Sequence, residues 1–549
     1  MKALPIVLVM LITGCGAAAT RSVAGPPLWD DPDRHPFRPA PQPYDSPLVW
    51  DMVDDTAFRQ ASRLLAVDPG GEALNVNSLD EVPNSSWFTN RIGLHPMSAD
   101  DVAVGPCVSP PLDPVGPWWV TSMKAEGANP GFVVRGPDGA GYMLKFDDTE
   151  QGPRATGADT IGSRVYYAAG YTTPCNRVVF FDRSILRIRP GTKAKTWTGG
   201  HAPLTEAYVD TVLTHAARLR DGRYRAIASR WLEGKPLGAW RFNGTRDDDP
   251  NDIVPHQDRR ELRGLRLLAA WLDDYDRRDG NTLAVFVPVG NGYGFVQHDL
   301  LDFGACFGQF WGSTTTWSRR RGLTYEFDGY VFEDFLSLGA ITRPWDTARF
   351  GPSGWVFAYY DVDRFEPERW RPEYPNPAFA RMTERDGAWA ARIIVGFTDE
   401  HLRRIIRSAR FGDPKLEQEL LRILKGRRDK ILERYLTRLS PLAQPHVEAQ
   451  QPLLCLRDVA VSAGIAPAGR PYSATVAWQG RSVALPVQAH ADRVCVPLPA
   501  TPGSKAHPVE LSVMLSVDPA AGTIGPLLLG VKHFGGSDYR VVRLVRQEP

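Results

Sequence analysis

DRRDGNTLAVFVPVGNGYGFVQHDLLDFG, residues 276–304, is the segment that most strongly indicates the architecture of the central part of this chain. Its middle predicts two short strands, residues 282–287 and 294–297, joined through a Gly-Asn-Gly turn. A D-x-x-x-x-N run from Asp276 to Asn281 precedes the first strand, and a D-F-G triplet that begins at Asp302 follows the second. The predicted hairpin therefore lies between Asp276 and Asn281 on one side and Asp302 on the other, and all three side chains carry oxygen atoms.

Two elements upstream carry further charged residues in apolar surroundings. Residues 132–135 and 141–146 predict a hairpin around an Asp-Gly turn, and Lys145 lies in its second strand. A lysine inside an apolar strand calls for a partner, because an unpaired buried charge is costly. A helix is predicted over residues 158–169, and Asp159 lies in its first turns.

A strand lysine, a helix acid, D-x-x-x-x-N and D-F-G follow one another in an order that resembles the signature of the protein-kinase-like superfamily. The D-R-x-x-x-N form and the short distance to D-F-G are most similar to the atypical lipid-kinase and HipA-like branch. The resemblance covers about residues 118–440, and the chain also resembles bacterial proteins with K-x-E-G-x-x-P-G-F and L-K-F-D blocks. It implies an α+β fold with a two-lobed core and Mg-ATP-dependent phosphoryl or nucleotidyl transfer to an unknown acceptor.

The resemblance implies a catalytic and metal-binding set around the central hairpin. Phosphoryl transfer depends on positioning and charge neutralisation more than on covalent chemistry. Asp276 would orient the acceptor hydroxyl or accept its proton, and Lys145 would neutralise phosphate charge as a mobile point charge. Asn281 and Asp302 carry the hard oxygen ligands that suit Mg²⁺.

The resemblance also implies a set of residues that bind ATP. Lys145 would contact the α- and β-phosphates, and Asp159 would pair with Lys145. Residues 124–131 would form the loop that covers the phosphates, with Gly127 and Gly131 as its glycines. Residues 231–238, WLEGKPLG, lie where a hinge would border an adenine pocket, although a plain strand and turn explains the same residues.

Each of these residues has a structural explanation that the sequence leaves open. Lys145 could extend from an edge strand into solvent, and Asp276 and Asn281 could cap the turn between a helix and a strand. The D-F-G triplet could be a simple turn, and Asp159 could interact with the N-terminal dipole of its helix. For the whole protein, the alternative is a catalytically inactive, pseudokinase-type binding or scaffold lipoprotein.

The N-terminus predicts a lipoprotein signal peptide over residues 1–14. Residues 4–13, LPIVLVMLIT, are apolar but fall short of the about 20 residues that a membrane-spanning helix needs, as is typical of a secretory signal. Residues 12–15, ITGC, resemble the bacterial lipobox, which implies a lipid on Cys15 and an anchor in the cell envelope. Gly16 at the following position favours the outer membrane, and an ordinary signal peptide is the alternative.

Composition divides the rest of the chain into four parts. Residues 15–48 are rich in proline and predict a tether, residues 49–117 form an N-terminal extension, and the kinase-like lobes are predicted at about 118–240 and 241–440. Short strand patterns over residues 450–549 predict an antiparallel β-sandwich, which could bind a protein partner. Cys455 and Cys495 lie in two of these strands and could form a disulfide or remain buried thiols.

Overall composition excludes several functional classes. The 64 basic residues nearly balance the 63 acidic residues, which argues against a general nucleic-acid binder. Six cysteines without a C-x-x-C pair argue against a disulfide-dense scaffold and against a thiolate zinc site. The G-x-S-x-G and H-E-x-x-H motifs of common hydrolases are absent. The predicted anchor places the chain where bacteria keep little ATP. Three explanations stay open: a nucleotide arrives from elsewhere, a different phosphorylated ligand is used, or the site is a binding relic.

Overall fold

The computed structural model describes residues 26–44, 70–123, 131–195, 201–309, 335–338, 340–341 and 350–549, together with positions 53 and 58. The described residues combine helices with mostly antiparallel sheets, so the fold is α+β, as the sequence predicts. Among the described residues, every helix is too short or too polar to cross a membrane.

The first half of the chain builds a six-stranded sheet and a small two-stranded ribbon. Its strands are β1 (Trp118–Met123), β2 (Gly131–Arg135), β3 (Gly141–Phe146), β4 (Asn176–Phe181), β5 (Leu186–Ile188), β6 (Lys193–Lys195), β7 (His201–Pro203) and β8 (Tyr224–Arg230). The spatial order of the large sheet is β4-β8-β3-β2-β1-β5, and only the β1–β5 pair in it is parallel. Apolar side chains alternate along β3, so that Leu144 and Phe146 enter a core on one face while Lys145 lies on the other.

Helices cover both faces of this sheet. They are α1 (Ala99–Val104), α2 (Arg154–Ala169) and α3 (Glu206–Leu213). α3 adds Val209 and Leu213 to the core under β3, whereas α2 joins a second and larger core. α2 begins four residues before the predicted start and ends at the predicted Gly170, whose φ of 131° favours glycine.

Residues 231–234 lead from the six-stranded sheet into a three-stranded sheet of order β11-β10-β9. Its strands are β9 (Lys235–Pro236), β10 (Thr282–Gly290) and β11 (Tyr293–Leu300). β10 and β11 are the predicted hairpin. β10 ends three residues later than predicted, and β11 begins one residue earlier and ends three residues later, because the hydrogen-bonded ladder continues there. In this register Leu283 lies opposite Asp299 and Val285 opposite Gln297.

The helices that follow β9 surround a single long core. They are α4 (Arg260–Leu272), α5 (Gly354–Phe357), α6 (Pro377–Ala380), α7 (Glu384–Ile394), α8 (Asp399–Ser408) and α9 (Pro414–Tyr435). All 13 residues of α4 are buried, so α4 lies at the centre of the core. Thr398 and Asp413 cap α8 and α9 through their side chains.

The C-terminal residues form two antiparallel sheets that share one cluster of buried side chains. Their spatial orders are β12-β13-β17-β16 and β15-β14-β18-β19-β20. The strand patterns in the sequence indicate seven of these nine strands. They miss residues 442–447 and residues 488–490, which form β12 and β16. The elements are β12 (Leu442–Val447), β13 (Leu453–Asp458), α10 (Val459–Ser462), β14 (Tyr472–Trp478), β15 (Arg481–Leu485), β16 (Gln488–His490), β17 (Arg493–Pro497), β18 (Val509–Val517), β19 (Leu527–His533) and β20 (Tyr539–Arg546).

Among the cysteines that the structure describes, four form two disulfides between distant parts of the chain, and Cys306 is a buried free thiol. Cys455 on β13 lies directly opposite Cys495 on β17, so the alternative that the sequence leaves open is decided in favour of a bridge. The second bridge, Cys107–Cys175, fastens the segment after α1 to the loop before β4.

Replacing both Cys107 and Cys175 with serine is expected to lower the free energy of unfolding by about 2–4 kcal/mol. The bridge closes a loop of 68 residues, and its removal returns conformational freedom to the unfolded chain. Chemical denaturation with and without reductant measures the effect. A double variant that unfolds at the same midpoint as the oxidised wild type would show that the bridge does not form.

Residues 26–44 pack against the three-stranded sheet and the residue that follows β9, although the sequence places them in a tether. The main-chain N–H of Phe37 donates to Gly294 at 2.8 Å, and its ring meets Phe286 edge-on at 5.6 Å. The N–H of Tyr44 donates to the carbonyl of Leu237, also at 2.8 Å. Residues 26–44 therefore belong to the folded part of the chain, because their aromatic side chains and backbone N–H groups contact it.

Candidate functional site

A cleft of about 630 Å³ lies between the six-stranded sheet and the β10–β11 hairpin. Trp231, Leu232, Gly234 and Pro236 border one side of it. The segment that the sequence leaves open between a hinge and a plain turn therefore does line the cleft. Leu283, Val285 and Leu301 supply an apolar surface from the hairpin. The remaining lining residues are Met143, Lys145, Pro174, Asn176, Ser229, Arg230, Gly280, Asn281 and Asp302.

Lys145 stands at the polar end of the cleft between two carboxylates. Its Nζ lies 2.9 Å from Oδ1 of Asp302 and 3.3 Å from Oδ2 of Asp159. β3, α2 and the segment after β11 thus bring together the strand lysine, the helix acid and the D-F-G aspartate. Asp159 lies in the second turn of α2, beyond the first turn where the helix dipole acts most strongly.

The carboxylates keep Lys145 charged. Burial lowers the pKa of the Lys145 ammonium group, but Asp159 and Asp302 outweigh burial and the net pKa is raised. Burial raises the pKa of Asp159, and Lys145 opposes that rise. The Asp302 side chain is 40% exposed whereas that of Asp159 is 2% exposed. Asp302 therefore presents the carboxylate that a molecule in the cleft can reach.

The backbone and the following residue hold Asp302 in place. Its φ of 52° is in the left-handed region, which aspartate adopts more readily than most residues. Phe303 is fully buried, its N–H donates to Oδ1 of Asp159 at 2.8 Å, and its ring stacks on Tyr166. Gly162 leaves room for that ring, since a Cβ there would lie 2.4 Å from the Phe303 Cβ. The orientation of Asp302 therefore depends on α2.

Asp276 and Asn281 are joined by hydrogen bonds. Nδ2 of Asn281 donates to Oδ2 of Asp276 at 3.0 Å and to its main-chain oxygen at 2.6 Å. These bonds close the turn between α4 and β10, so Asp276 and Asn281 do cap that turn. Asn281 also lines the cleft beside Asp302, and its Oδ1 is the side-chain atom left for a ligand.

Arg277, which the sequence interpretation missed, connects the two motifs. Its guanidinium donates to the carbonyls of Asn281 and Leu301 at 2.8 Å and of Asp302 at 3.1 Å. It also pairs with Asp274 at 2.6 Å. Burial lowers the pKa of Arg277, but Asp274 outweighs burial and the net pKa is raised. One buried cation thus links D-x-x-x-x-N to D-F-G, and only its place beside Asp276 in the sequence hints at this.

Two further arginines complete the surroundings of the site. Nε of Arg278 lies 2.8 Å from Oδ1 of Asp276, and although burial lowers the pKa of Arg278, Asp276 gives it a net rise. Arg154, at the start of α2, donates to the carbonyls of Gly304 and Cys306 at 2.6 and 3.0 Å. Arg154 therefore ties α2 to the segment after D-F-G. Neither arginine has a periodicity or motif that would have revealed it.

Among the predicted site residues, Gly131 lies in a strand, and Gly127 and Cys15 lie outside the described residues. Gly131 is the first residue of β2, directly opposite Lys145, so it belongs to the sheet and not to a loop. Gly127 and the rest of residues 124–130 lie outside the described residues, as does Cys15. The phosphate-covering loop and the lipid anchor stay predictions.

His298 and Asp299 precede the D-F-G triplet and could have a structural role or bind a metal, and both are buried in β11. The His298 ring stacks on Trp87 at 3.4 Å, and its Nδ1 lies 3.1 Å from Oγ of Ser86. Burial lowers the pKa of His298 well below its usual value. Burial raises the pKa of Asp299 to about 7, opposed by a hydrogen bond from Gln297. These contacts favour the structural role.

The donor set at the polar end fits a divalent metal ion and a phosphate chain. Asp302 offers a carboxylate and Asn281 an amide oxygen, which are hard ligands of the kind that Mg²⁺ and Mn²⁺ prefer. Lys145 adds a permanent positive charge for phosphate oxygens. The apolar remainder of the cleft suits a flat organic group.

Comparisons with known proteins give only distant likenesses. No family model and no curated protein matches the chain. One similar solved structure is the Golgi casein kinase, with 11% identity, 52% of this chain and 74% of that chain covered, and a TM-score of 0.23. Another is the Golgi casein kinase with Mn/ADP bound, with 10% identity, 74% and 96% covered, and a TM-score of 0.24. Likenesses at these TM-scores carry no argument, so the roles of the site residues depend on the geometry above.

Proposed function

We propose that this protein is a secreted, lipid-anchored, protein-kinase-like phosphotransferase that uses a divalent metal and ATP. The six-stranded sheet with α2 would be its N-lobe, the helices after β9 its C-lobe, and the two C-terminal sheets a β-sandwich. One observation carries the proposal: Lys145, Asp159 and Asp302 meet at the polar end of a cleft between two sheets. A lysine extending into solvent would not explain this, because the Lys145 side chain is only 12% exposed.

Each side chain has a task that follows from its position. Lys145, oriented by Asp159, places a positive charge where phosphate oxygens would enter the cleft. Asp302 and Asn281 would hold the divalent metal. When bound, ATP would supply the phosphoryl group and the metal would neutralise the charge of the phosphates. Asp276 orients the acceptor hydroxyl and accepts its proton, and the hydrogen bond from Asn281 fixes its carboxylate for that step.

Replacing Asp276 with asparagine is expected to separate binding from transfer. The variant should bind metal-ATP like the wild type but lose at least about a hundredfold in phosphoryl transfer, because an amide cannot accept the proton. Release of phosphate or labelling of the protein from γ-labelled ATP, with Mg²⁺ or Mn²⁺, measures the transfer. Asp247→Asn, at an exposed position, is the matched control.

The wild-type result separates the two candidate functions. Transfer that disappears in Asp276→Asn supports a phosphotransferase. Nucleotide binding without any transfer would contradict it and support the pseudokinase-type scaffold. The absence of both binding and transfer would contradict the kinase-like site itself.

The proposed location in the cell envelope depends on Cys15. The apolar run, the lipobox-like residues 12–15 and two disulfides, which persist in oxidising compartments, support it. Expression in a bacterium with labelled fatty acid is expected to label the wild type and to leave Cys15→Ser unlabelled and free of the membrane fraction. Equal membrane recovery and labelling of both proteins would contradict the anchor.

A further inference from the structure

The rear of the cleft carries a polar side chain that the proposed transfer chemistry does not use. Met143, Ser229 and Asn176 lie directly opposite one another on β3, β8 and β4, and all three line the cleft. Asn176 is the first residue of β4 and is only 2% exposed. An asparagine is an uncommon residue at so deeply buried a position, and its polar atoms need partners.

The amide group of Asn176 has one orientation that its surroundings accept. Its Nδ2 donates to the main-chain oxygen of Asp159 at 3.2 Å. The reversed amide would place two oxygen atoms against each other with no hydrogen between them. Oδ1 of Asn176 is therefore the atom left over, and it is buried without a hydrogen-bond partner.

Neighbouring bonds hold Asn176 in this position. Its main-chain oxygen accepts from the Arg164 guanidinium at 2.9 Å. The preceding residue, Cys175, is bridged to Cys107. Asp159, which accepts from the Asn176 amide, also contacts Lys145. A rigid acceptor of this kind binds a matching donor with little loss of conformational freedom.

We propose that Oδ1 of Asn176 accepts a hydrogen bond from the amino group of a 6-aminopurine and so selects ATP over 6-oxopurine nucleotides. This rests on the proposed function, because the nucleotide must first bind in the cleft. With phosphates at Lys145, the flat base faces the apolar surface of Leu283 and Val285 and the rear wall. A keto oxygen at the same place would face the lone pairs of Oδ1 and leave both oxygens unpaired.

The test compares ATP with ITP, which differ in the group at purine C6 and the accompanying N1 proton. Calorimetric titration of each nucleotide with Mg²⁺ into the full chain is expected to give at least about tenfold tighter binding of ATP. Asn176→Leu keeps the approximate size but removes the acceptor, and its preference should fall to about twofold or less. Asn291→Gly, in the exposed β10–β11 turn where φ is 52°, is the control that should keep the preference.

The outcomes distinguish this inference from the function on which it depends. Equal binding of ATP and ITP by the wild type would overturn the role of Asn176 and leave the nucleotide site intact. A folded Asn176→Leu variant that keeps the full preference would overturn it as well. Failure of the wild type to bind either nucleotide would overturn both proposals. If Asn176→Leu does not melt cooperatively, the wild-type ratio still decides.

Discussion

Replacing Lys145 with alanine is expected to reduce phosphoryl transfer at least about a hundredfold and to abolish nucleotide binding at sub-millimolar concentrations. Lys145 supplies a positive charge at the polar end of the cleft. Its Nζ lies between two carboxylates, 3.3 Å from Oδ2 of Asp159 and 2.9 Å from Oδ1 of Asp302. Without it, two carboxylates face the entering phosphates. Repulsion then replaces attraction at the position where the phosphate chain would bind.

A second substitution shows whether the loss arises from charge or from misfolding. Lys145→Met keeps the apolar stem that packs in β3 and removes only the ammonium group, so the same loss is expected. Lys415→Ala removes an exposed lysine at the start of α9 and should leave transfer and binding unchanged. A Lys145→Met protein that melts like the wild type and still transfers phosphate would contradict the assignment.

A buried ion cluster around Asp80 joins three parts of the fold. Asp80 pairs with Arg260 of α4, with Arg546 of β20 at 2.7 Å, and with Arg392 of α7 at 4.0 Å. Arg260 also lies 3.1 Å from Asp386 of α7. The arginine of β20 is 1% exposed, so the C-terminal sheets are fastened to the helical core by a charge that solvent does not reach.

Replacing Asp80 with asparagine is expected to lower the free energy of unfolding by about 3–5 kcal/mol. The substitution keeps the size of the side chain but leaves buried guanidinium groups without their counter-charge, which is the costly way to break a buried pair. Denaturant unfolding followed by fluorescence measures it. Asp221→Asn, on an exposed turn beside Arg223, is the control that should leave the midpoint unchanged.

The same carboxylate predicts a dependence of stability on pH. Burial alone would raise the pKa of Asp80, but Arg260, Arg546 and Arg392 outweigh burial and lower the pKa from 3.8 to about 2. A depressed carboxyl pKa gives stability that is present above the unfolded value, near pH 4, and lost as pH falls through 4 towards 2. The lost part is about 2–3 kcal/mol. The difference between wild type and Asp80→Asn should shrink over that interval, and a constant difference would contradict the pKa.

Order along the chain was enough to anticipate the residues that meet in the cleft. The resemblance to the protein-kinase-like superfamily names Lys145, Asp159, Asn281 and Asp302, and the structure brings these four residues to the same cleft. The hairpin between Asn281 and Asp302 was predictable from its alternating strands and its glycine turn.

Long-range contacts left no comparable signal. Asp80 lies in a loop without periodicity, and its partners are 180, 312 and 466 residues away. Arg277 looks like one charge in a mixed run, yet it is buried and bonded to main-chain oxygens on both sides of the hairpin. Asn176 lies in no motif or periodic pattern, because its proposed role depends on a buried side-chain oxygen that has no hydrogen-bond partner. Such roles depend on packing that only the folded chain reveals.

The proposed function requires above all that the cleft at Lys145 binds metal-ATP. Calorimetric titration of ATP with Mg²⁺ or Mn²⁺ into the full chain measures it most directly, with Lys145→Met in parallel. We expect one nucleotide bound per chain by the wild type and no saturable binding by the variant. No binding by the wild type at millimolar nucleotide with either metal, or equal binding by both proteins, would contradict the claim.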